Sequence, residues 1–430
     1  MKEKPISRRD FLKDMGLVTG GALLASSPWL SAFAEEGNTN GERAKIAMIG
    51  PGSRGQYHLN LLIRNPKAEV VAICDDYQPS IDGALKLVPN AKVYTDYRKM
   101  LEDPEIQGVF IVTPLHMHHQ MAIDCLAAGK HVMLEKSMAK TADDTLDIYK
   151  KWKASGKVLY IGQQRLFDPR YLKVMQMIQE GVIGDVQRIN TFWYRNNDWR
   201  RRAPSPELER KINWRLYKEY SLGMMTELAG HQVQVGTWAT KQIPNTVMGA
   251  GANIFWKDGR EVYDDMHVCY VFDDGRKMTF DSVISNKFYG LEEQILGHLG
   301  TIEPEKGKFY FETIPPAPGM MQLIHDVETA FFGAIPFAGP SWVPETANPN
   351  KGEYILGEKP KGDGSDLLSA AFVESCITGH QPQNLVEEGY YATMLAILGD
   401  QAMREERIVT FPDEYKIDYL NHRAPVLSEE

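Results

Sequence analysis

Apolar residues occur in the first third of the chain as short runs, separated by amphipathic stretches. Each run is almost continuously hydrophobic, which is typical of strands buried on both faces of a parallel sheet. The stretches between the runs repeat apolar residues at helical spacing. The predicted strands cover residues 46–49, 70–74, 108–112 and 131–134. The pattern therefore predicts a doubly wound α/β domain, which we assign to residues 45–162.

Beyond residue 160 the pattern changes to strands that alternate in polarity or are bounded by turn residues. These predicted strands cover residues 189–194, 247–254, 267–272, 277–282 and 309–312. They predict an α+β domain with a large open, mainly antiparallel sheet over residues 163–430. Helical periodicity returns at residues 365–378 and 385–404. Residues 313–366 are rich in Pro and Gly and longer than a typical connection. Three interpretations of this segment stay open: a lid, an interface segment or a flexible insert.

The N-terminus differs from the globular part of the chain. Arg8 and Arg9 precede a glycine-interrupted, moderately apolar stretch that ends in small residues at Ala32-Phe33-Ala34. This predicts a twin-arginine signal over residues 1–34, cleaved after Ala34, and the alternative is a fortuitous arginine pair before a membrane anchor. Residues 35–44 are then a polar linker. The expected partner is the Tat export machinery and the expected location is the periplasm, with no stable membrane span after processing.

Composition and charge exclude some functions. The 430 residues are 43% hydrophobic and 24% charged, as in a globular protein, and the formal net charge is −9. This acidic balance argues against a nucleic-acid partner. The densest basic run, Arg200 to Arg202, is interpreted as a solvated loop, with a site for a substrate phosphate or carboxylate as the alternative. The four cysteines lack metal-site spacing, so neither disulfides nor structural zinc are predicted.

A glycine-rich turn follows the first predicted strand and opens a helix. Gly50, Gly52 and Gly55 have the G-x-G-x-x-G spacing. The three glycines allow a tight turn, a close backbone approach to a pyrophosphate and close packing of the helix on the strand. The helix N-terminus adds free N–H groups for the phosphates. The turn, with Ser53 and Arg54 inside it, is therefore predicted to bind a dinucleotide.

The residue after the second strand selects the nucleotide. Asp75 stands twenty residues beyond Gly55, where an acid accepts hydrogen bonds from the adenosine ribose, and Asp76 follows it. No Lys or Arg adjoins them in sequence, and two carboxylates would repel a 2′-phosphate. The sequence therefore predicts a Rossmann domain that binds NAD and disfavours NADP.

Three histidines stand close together after the third predicted strand. The segment runs from Thr113 and Pro114 to His116, His118 and His119. No cysteine or carboxylate accompanies them at metal-ligand spacing, and the segment lies at the sheet edge where the nucleotide is expected. We therefore predict no metal site here.

The motifs together resemble the glucose-fructose oxidoreductase, inositol dehydrogenase and rhizopine-catabolism (Gfo/Idh/MocA) family. The resemblance rests on the glycine turn, on Thr113-Pro114 with His118, on residues 128–132 leading to Glu135 and Lys136, and on residues 181–186. It implies that Thr113, Pro114, His118, Glu135 and Lys136 contact the cofactor. It also implies a homo-oligomer that associates through the open face of the second sheet.

The family resemblance further implies a catalytic lysine at Lys136 and a catalytic histidine at His231. Glu227 stands four residues before His231, so the two would share one helix face and address one substrate carbon. We expect Lys136 to polarise the substrate oxygen, His231 to act as general base and Glu227 to orient the imidazole. Glu227 replaces the usual Asp and Ser137 the usual Pro, which marks an unusual branch.

Aromatic and polar residues cluster around the start of the second domain. Tyr194, Trp199 and Trp214 are candidates for stacking under the C–H face of a sugar, and the alternative is that half of these rings are core. Arg165 resembles a residue of the family's domain-junction segment and is expected to line the cleft.

Three functions remain open at this point. The favoured one is an exported NAD-dependent oxidoreductase that moves hydride between a secondary alcohol of a sugar or glycoside and a tightly bound NAD. The first alternative is an NAD-dependent glycoside hydrolase that uses transient oxidation and elimination. The second is a nucleotide-bound binding protein without turnover. The Glu135-Lys136 pair favours the oxidoreductase, because the glycosidase relatives of this family usually lack it.

Overall fold

The computed structural model describes residues 41–312, 351–356 and 362–419, with a few isolated positions between 323 and 330. The predicted signal peptide, residues 35–40 of the linker and most of the 313–366 insert lie outside the described residues. Within them, no helix is long and apolar enough to cross a membrane. All four cysteines are among the described residues and are free thiols.

The first sheet is parallel and six-stranded, in the order β3-β2-β1-β4-β5-β6. Its strands are β1 (Ala44–Ile49), β2 (Ala68–Cys74), β3 (Lys92–Tyr94), β4 (Gly108–Ile111), β5 (His131–Leu134) and β6 (Leu159–Ile161). The central strands are buried, with Val109, Phe110 and Ile111 fully inaccessible, because helices cover both faces. The order reverses between β1 and β4, which opens a crevice at their carboxyl ends.

Five helices belong to this sheet: α1 (Ser53–Leu62), α2 (Gln78–Leu85), α3 (Tyr97–Leu101), α4 (His118–Ala127) and α5 (Ala142–Ser155). Helix α5 shows how the sequence sets its ends. The Thr141 hydroxyl accepts a hydrogen bond from the Asp144 amide at the N-terminus, and Gly156 takes the left-handed conformation (φ 64°) that ends the helix. The prediction of a doubly wound parallel sheet is confirmed.

The second sheet is nine-stranded and mixed, in the order β14-β13-β12-β11-β7-β10-β9-β8-β15. Its strands are β7 (Val186–Trp193), β8 (Thr246–Ala252), β9 (Asp265–Val271), β10 (Lys277–Val283), β11 (Leu291–Gly297), β12 (Gly300–Glu303), β13 (Lys308–Phe311), β14 (Glu353–Tyr354) and β15 (Val409–Thr410). Strands β7 and β10 pair in parallel and the other pairs are antiparallel. This confirms the mainly antiparallel sheet.

One face of the second sheet is covered by helices that also connect the two domains. The helices of this part of the chain are α6 (Pro169–Gln179), α7 (Glu209–Ile212), α8 (Gly230–Thr240), α9 (Ser365–Thr378) and α10 (Leu385–Glu405). Every residue of α8 is buried. Helix α9 packs on α1 and β1 of the first domain, and α10 packs on α8, β8 and α5. The cleft between the domains is thus framed by tightly packed elements.

Candidate functional site

A cleft of about 1790 Å³ lies at the carboxyl edge of the parallel sheet and is lined by residues of both domains. Single ligand pockets usually enclose about 300–1,000 Å³, so this cleft has room for a dinucleotide and a substrate together. The turns after β1, β2, β4 and β5 supply one wall, and the end of β7 and the start of α8 supply the other.

The glycine turn has the geometry that a dinucleotide requires. Gly50 has φ +81°, and a Cβ there would lie 2.6 Å from the Val112 carbonyl oxygen. A Cβ on Gly55 would lie 2.4 Å from the Gly50 carbonyl oxygen, so this glycine lets α1 pack against the turn. A Cβ on Gly52 would meet no atom within 4 Å and lies at the cleft. The second glycine therefore leaves open the space that a pyrophosphate occupies.

This geometry predicts that one glycine substitution weakens NAD binding and another lowers the stability of the fold. Gly52→Ala should fold normally, because Gly52 has φ −70°, but should weaken NAD binding by at least about tenfold since the methyl group enters the phosphate space. Gly55→Ala should lower the melting temperature, because its Cβ meets backbone. Calorimetric NAD titration and thermal unfolding of both variants check this. Unchanged NAD affinity in Gly52→Ala would contradict the placement of the pyrophosphate.

The ribose end of the cleft contains both predicted acids. Asp75 lines the cleft, and its Oδ1 accepts a hydrogen bond of 2.8 Å from the Tyr77 amide. Burial raises the pKa of Asp75 above its usual value. Asp76 pairs with Lys211 of the second domain at 2.7 Å. The sequence shows no cation beside the two acids, but the fold brings one to them from the other domain.

Glu135 is held from two sides. Its Oε1 accepts hydrogen bonds from Arg54 Nε (2.7 Å) and His58 Nε2 (2.8 Å). Burial opposes ionisation, but Arg54 and His58 outweigh it and hold the pKa of Glu135 well below its usual value. Arg54 therefore ties the glycine turn to the strand end that carries Lys136. His58 was not predicted, because a histidine on an amphipathic helix gives no signal of a partner at the end of a strand.

Lys136 lies partly buried in the cleft and reaches the second domain. Its Nζ donates hydrogen bonds to the carbonyl oxygens of Glu227 (2.7 Å) and Thr226 (3.4 Å). Both carbonyls belong to a π-helical turn, Met225–Ala229, that precedes α8, and such turns are frequent at functional sites. Burial lowers the pKa of Lys136 from 10.5. The ammonium group is thus fixed between the two domains.

His231 lies buried at the N-terminal end of α8 and lines the cleft. Its Nδ1 donates a hydrogen bond to Gln163 Oε1 at 3.2 Å. Because an amide oxygen only accepts, this bond leaves the lone pair on Nε2. Burial, reinforced by the charge of Lys136, lowers the pKa of His231 well below 6.5, so the imidazole is neutral at pH 7. The Trp193 ring lies 5.9 Å from it, centroid to centroid.

The structure corrects the predicted role of Glu227. Its Oε2 accepts a hydrogen bond of 2.6 Å from Arg215 Nε, and the orienting bond to His231 comes from Gln163 instead. Burial raises the pKa of Glu227, but Arg215 and Lys136 outweigh this and lower it below the usual value. Glu227 still lines the cleft beside His231 and Lys136. It is an ionised group that is held by an arginine.

The three histidines after β4 have separate environments. His118 is buried, with its two ring nitrogens 2.8 Å from the Ser137 carbonyl oxygen and 3.0 Å from that of Thr113. It thus braces the turns after β4 and β5, and it lines the cleft together with Thr113 and Pro114. The His116 ring packs at a tilt against that of Tyr220, and His119 Nε2 forms a hydrogen bond of 2.8 Å with Asp147. Across the described ranges, no three His, Cys, Asp or Glu side chains are arranged to hold a metal ion.

Of the three aromatic residues proposed to contact a sugar, Trp199 and Trp214 line the cleft and Tyr194 does not. Strand side chains alternate, and Trp193 points toward His231. Tyr194 therefore lies on the opposite face, where its ring contacts those of Phe192 and Tyr289. Trp193 and Arg195, one residue to either side, line the cleft instead. The sequence identified the aromatic segment but not which face of the strand lines the cleft.

Arg165 also lies away from the cleft-lining residues of the described chain. It is buried, donates hydrogen bonds to Glu293 and to Glu305 (3.3 Å), and lies 5.0 Å from the centre of the Tyr171 ring. These partners belong to α6 and to β11 and the turn after β12. The residue predicted to bind substrate is therefore an ion-pair partner inside the second domain.

Comparison with curated proteins finds relatives that match part of this chain. An α-N-acetylgalactosaminidase of Shewanella oneidensis is 28% identical over 235 residues, which is 49% of this chain and 50% of that protein. The chain thus spans about half the length of such curated relatives.

Solved structures show the same fold. GenD2 from gentamicin A biosynthesis, in complex with NAD, aligns with TM-score 0.66 at 18% identity over 86% of this chain and 97% of its own. Levoglucosan dehydrogenase, in complex with NADH and levoglucosan, aligns with TM-score 0.65 at 18% identity over 86% and 100%.

Two models of one family match the sequence itself. The oxidoreductase-family model described as an NAD-binding Rossmann fold matches residues 44–163, and the model of the GFO/IDH/MocA C-terminal domain matches residues 171–303. Together the matches cover more than half of the chain. The chain therefore belongs to the Gfo/Idh/MocA family of NAD-binding oxidoreductases.

Proposed function

We propose that this protein is an exported enzyme that oxidises a secondary alcohol of a sugar or glycoside by hydride transfer to a tightly held NAD. The observation that carries the proposal is the meeting of Lys136 and His231 in one cleft with the glycine turn and Asp75. Export is part of the proposal and rests on Arg8 and Arg9 and the apolar stretch after them. A periplasmic enzyme has no ready supply of free NAD, which is why we propose a resident cofactor.

Two residues are proposed to handle the proton. His231 is neutral, and its Nε2 accepts the proton of the substrate hydroxyl. The Lys136 ammonium group stabilises the negative charge that develops on the same oxygen, because it is a cation in a partly desolvated site. Gln163 positions the imidazole, so that the base keeps one tautomer.

NAD, when bound, supplies the hydride acceptor. The substrate carbon loses its hydrogen with the electron pair, the oxygen loses its proton to His231, and the alcohol becomes a ketone. Since the cofactor stays bound as NADH, a second carbonyl substrate must take the hydride back and leave as an alcohol. Trp193, Trp199 and Trp214 line the cleft and offer aromatic rings on which a sugar can stack.

A second candidate is redox-neutral hydrolysis of a glycoside, which the 28% identity to an α-N-acetylgalactosaminidase favours. There the same oxidation would acidify the neighbouring C–H bond, elimination would expel the aglycone, and reduction would restore NAD. We rank oxidation first because Glu135 and Lys136 both line the cleft, where the Lys136 amide donates a hydrogen bond of 3.1 Å to Glu135 Oε2.

The deciding experiment incubates protein purified from the periplasm with a panel of glycosides and analyses the products by mass spectrometry. Oxidation predicts a product two hydrogens lighter, with one NADH formed for each. Aglycone release that requires NAD and disappears in Lys136→Ala would instead establish the hydrolase. Denatured wild-type protein that releases no nicotinamide nucleotide would contradict the resident cofactor.

A further inference from the structure

We propose that the second domain completes the nucleotide site through residues 197–215, here named the strap, in which Arg201 binds the pyrophosphate of NAD and Lys211 closes the adenosine end. The inference rests on the proposed function, in which NAD stays bound between turnovers. It goes beyond that function because it assigns the slow release of the nucleotide to residues outside the Rossmann domain.

The position of Arg201 is the first observation. Its Nη1 donates a hydrogen bond of 3.3 Å to Ser53 Oγ, and both residues line the cleft. Ser53 is the first residue of α1, directly after Gly52, whose missing side chain leaves the phosphate space open. The pyrophosphate of a dinucleotide lies at this helix N-terminus in Rossmann domains. A guanidinium in contact with Ser53 therefore lies within reach of the phosphate oxygens.

Charge pairing separates Arg201 from three other arginines of the strap, and position separates it from Arg202, which does not line the cleft. Arg200 pairs with Asp258 at 3.0 Å, Arg210 with Glu219 at 3.2 Å, and Arg215 with Glu227 at 2.6 Å. Among the described residues, Arg201 forms no ion pair with an acidic side chain. Arg guanidinium groups bind phosphate by paired, charge-assisted hydrogen bonds. The pyrophosphate is the counter-charge that the cleft lacks at Arg201.

Hydrogen bonds within the second domain hold the backbone at Arg201. The Asn213 side chain accepts a hydrogen bond from the Arg201 amide (2.6 Å) and donates one to the Arg201 carbonyl oxygen (2.9 Å). Two residues earlier, Trp199 has φ 59°, a strained conformation for a bulky residue and one that recurs at ligand clamps. This preorganisation lowers the entropy cost of gripping the cofactor.

Lys211 crosses the cleft at its other end. Its Nζ lies 2.7 Å from Asp76 Oδ1, and both residues line the cleft from opposite domains. The pair is exposed, so it contributes little to the stability of the fold on its own. Its position beside Asp75, the predicted ribose ligand, makes it a closure over the adenosine. The strap thus contacts the nucleotide groove at the phosphates and at the ribose.

The test measures release of NADH from the full-length protein. Arg201→Gln, Lys211→Met and Arg202→Gln are loaded with NADH and chased with excess NAD, and the loss of bound NADH fluorescence gives the dissociation rate. Arg202 is the matched control, because it adjoins Arg201 and is exposed but does not line the cleft. Release should be faster by on the order of ten- to a hundredfold in Arg201→Gln and by a few-fold in Lys211→Met. Arg202→Gln should match wild type.

Each outcome decides between the two proposals. Wild-type release rates in Arg201→Gln, with unchanged nucleotide content after purification, would overturn the strap and leave the proposed function intact. Fast release from wild type would contradict the resident cofactor, while the ratio of Arg201→Gln to wild type would still test the strap. If NADH release were accelerated equally in Arg202→Gln, the effect would come from general surface charge, and the assignment of Arg201 to the pyrophosphate would be overturned. Thermal unfolding of the nucleotide-free variants shows whether folding is unaffected.

Discussion

Lys136→Met should lower kcat/KM for the sugar substrate by roughly 10²- to 10⁴-fold while NADH still binds. The substitution keeps the length of the side chain but removes the ammonium group that Glu227 and Thr226 carbonyl oxygens hold at the cleft. Lys140→Met is the control, because Lys140 also donates to a second-domain carbonyl, that of Glu219 at 3.0 Å, but does not line the cleft. It should keep nearly all activity.

The pH profile of kcat/KM tests the same residue independently. Burial lowers the pKa of Lys136, so wild-type activity should fall at alkaline pH, as the ammonium group is lost somewhat below pH 10.5. The pKa of His231 lies well below 6.5, so the acid limb should appear only well below that pH. Lys136→Met should lose the alkaline limb and keep the acid one. A loss of activity smaller than about fivefold, with both limbs kept, would show that Lys136 has no role in proton chemistry.

The parallel sheet was predictable because its signal is local. The central strands are almost wholly apolar, as strands buried on both faces must be, and the glycine turn follows the first of them. Two strands of this sheet were missed because both are short. Strand β3 is short and largely exposed at the sheet edge, and β6 is only three residues long. Neither has a pattern long enough to recognise.

Strand β11 was missed because its sequence resembles an exposed segment. Glu292 and Glu293 stand side by side in it, yet both are buried. Glu293 is tolerated there because Arg165, 128 residues earlier in the chain, donates to it, together with the Tyr171 hydroxyl at 2.9 Å. A pairing across such a distance has no local signature. Because the sequence gives no sign that Arg165 pairs with Glu293, Arg165 was assigned to the substrate.

In the candidate site, too, local motifs were predictable and contacts between distant parts of the chain were not. Lys136 and His231 were predicted from motifs, and both line the cleft. The partner of His231 was not, because Gln163 lies 68 residues away on a turn after β6. Spacing on one helix favoured Glu227 instead, but its carboxylate turns to Arg215. Sequence spacing predicts which residues share a face, and only the tertiary structure decides which of them bond.

Arg165→Met should destabilise the protein by about 3–5 kcal/mol, because it leaves the carboxylate of Glu293 buried without its counter-charge. Glu293 is fully inaccessible, and burial already raises its pKa above the usual value. A raised carboxyl pKa means that stability is present at low pH and lost as pH rises through the folded-state value. The gap between Arg165→Met and wild type should therefore widen as pH rises, which denaturant unfolding at several pH values measures. The exposed Arg202→Met should unfold like wild type.

A double substitution separates the structural role of Arg165 from a catalytic one. Arg165→Met with Glu293→Gln should recover part of the lost stability, since the amide keeps a hydrogen-bond acceptor for Tyr171 without the charge. Assayed at a temperature where it is folded, this variant should keep kcat/KM within a few-fold of wild type, because neither side chain lines the cleft. A loss of about 100-fold in the folded double variant would contradict the structural role and restore Arg165 as a substrate ligand. The ion pair would then have to open when the sugar binds, which its burial beneath α6 and β11 opposes.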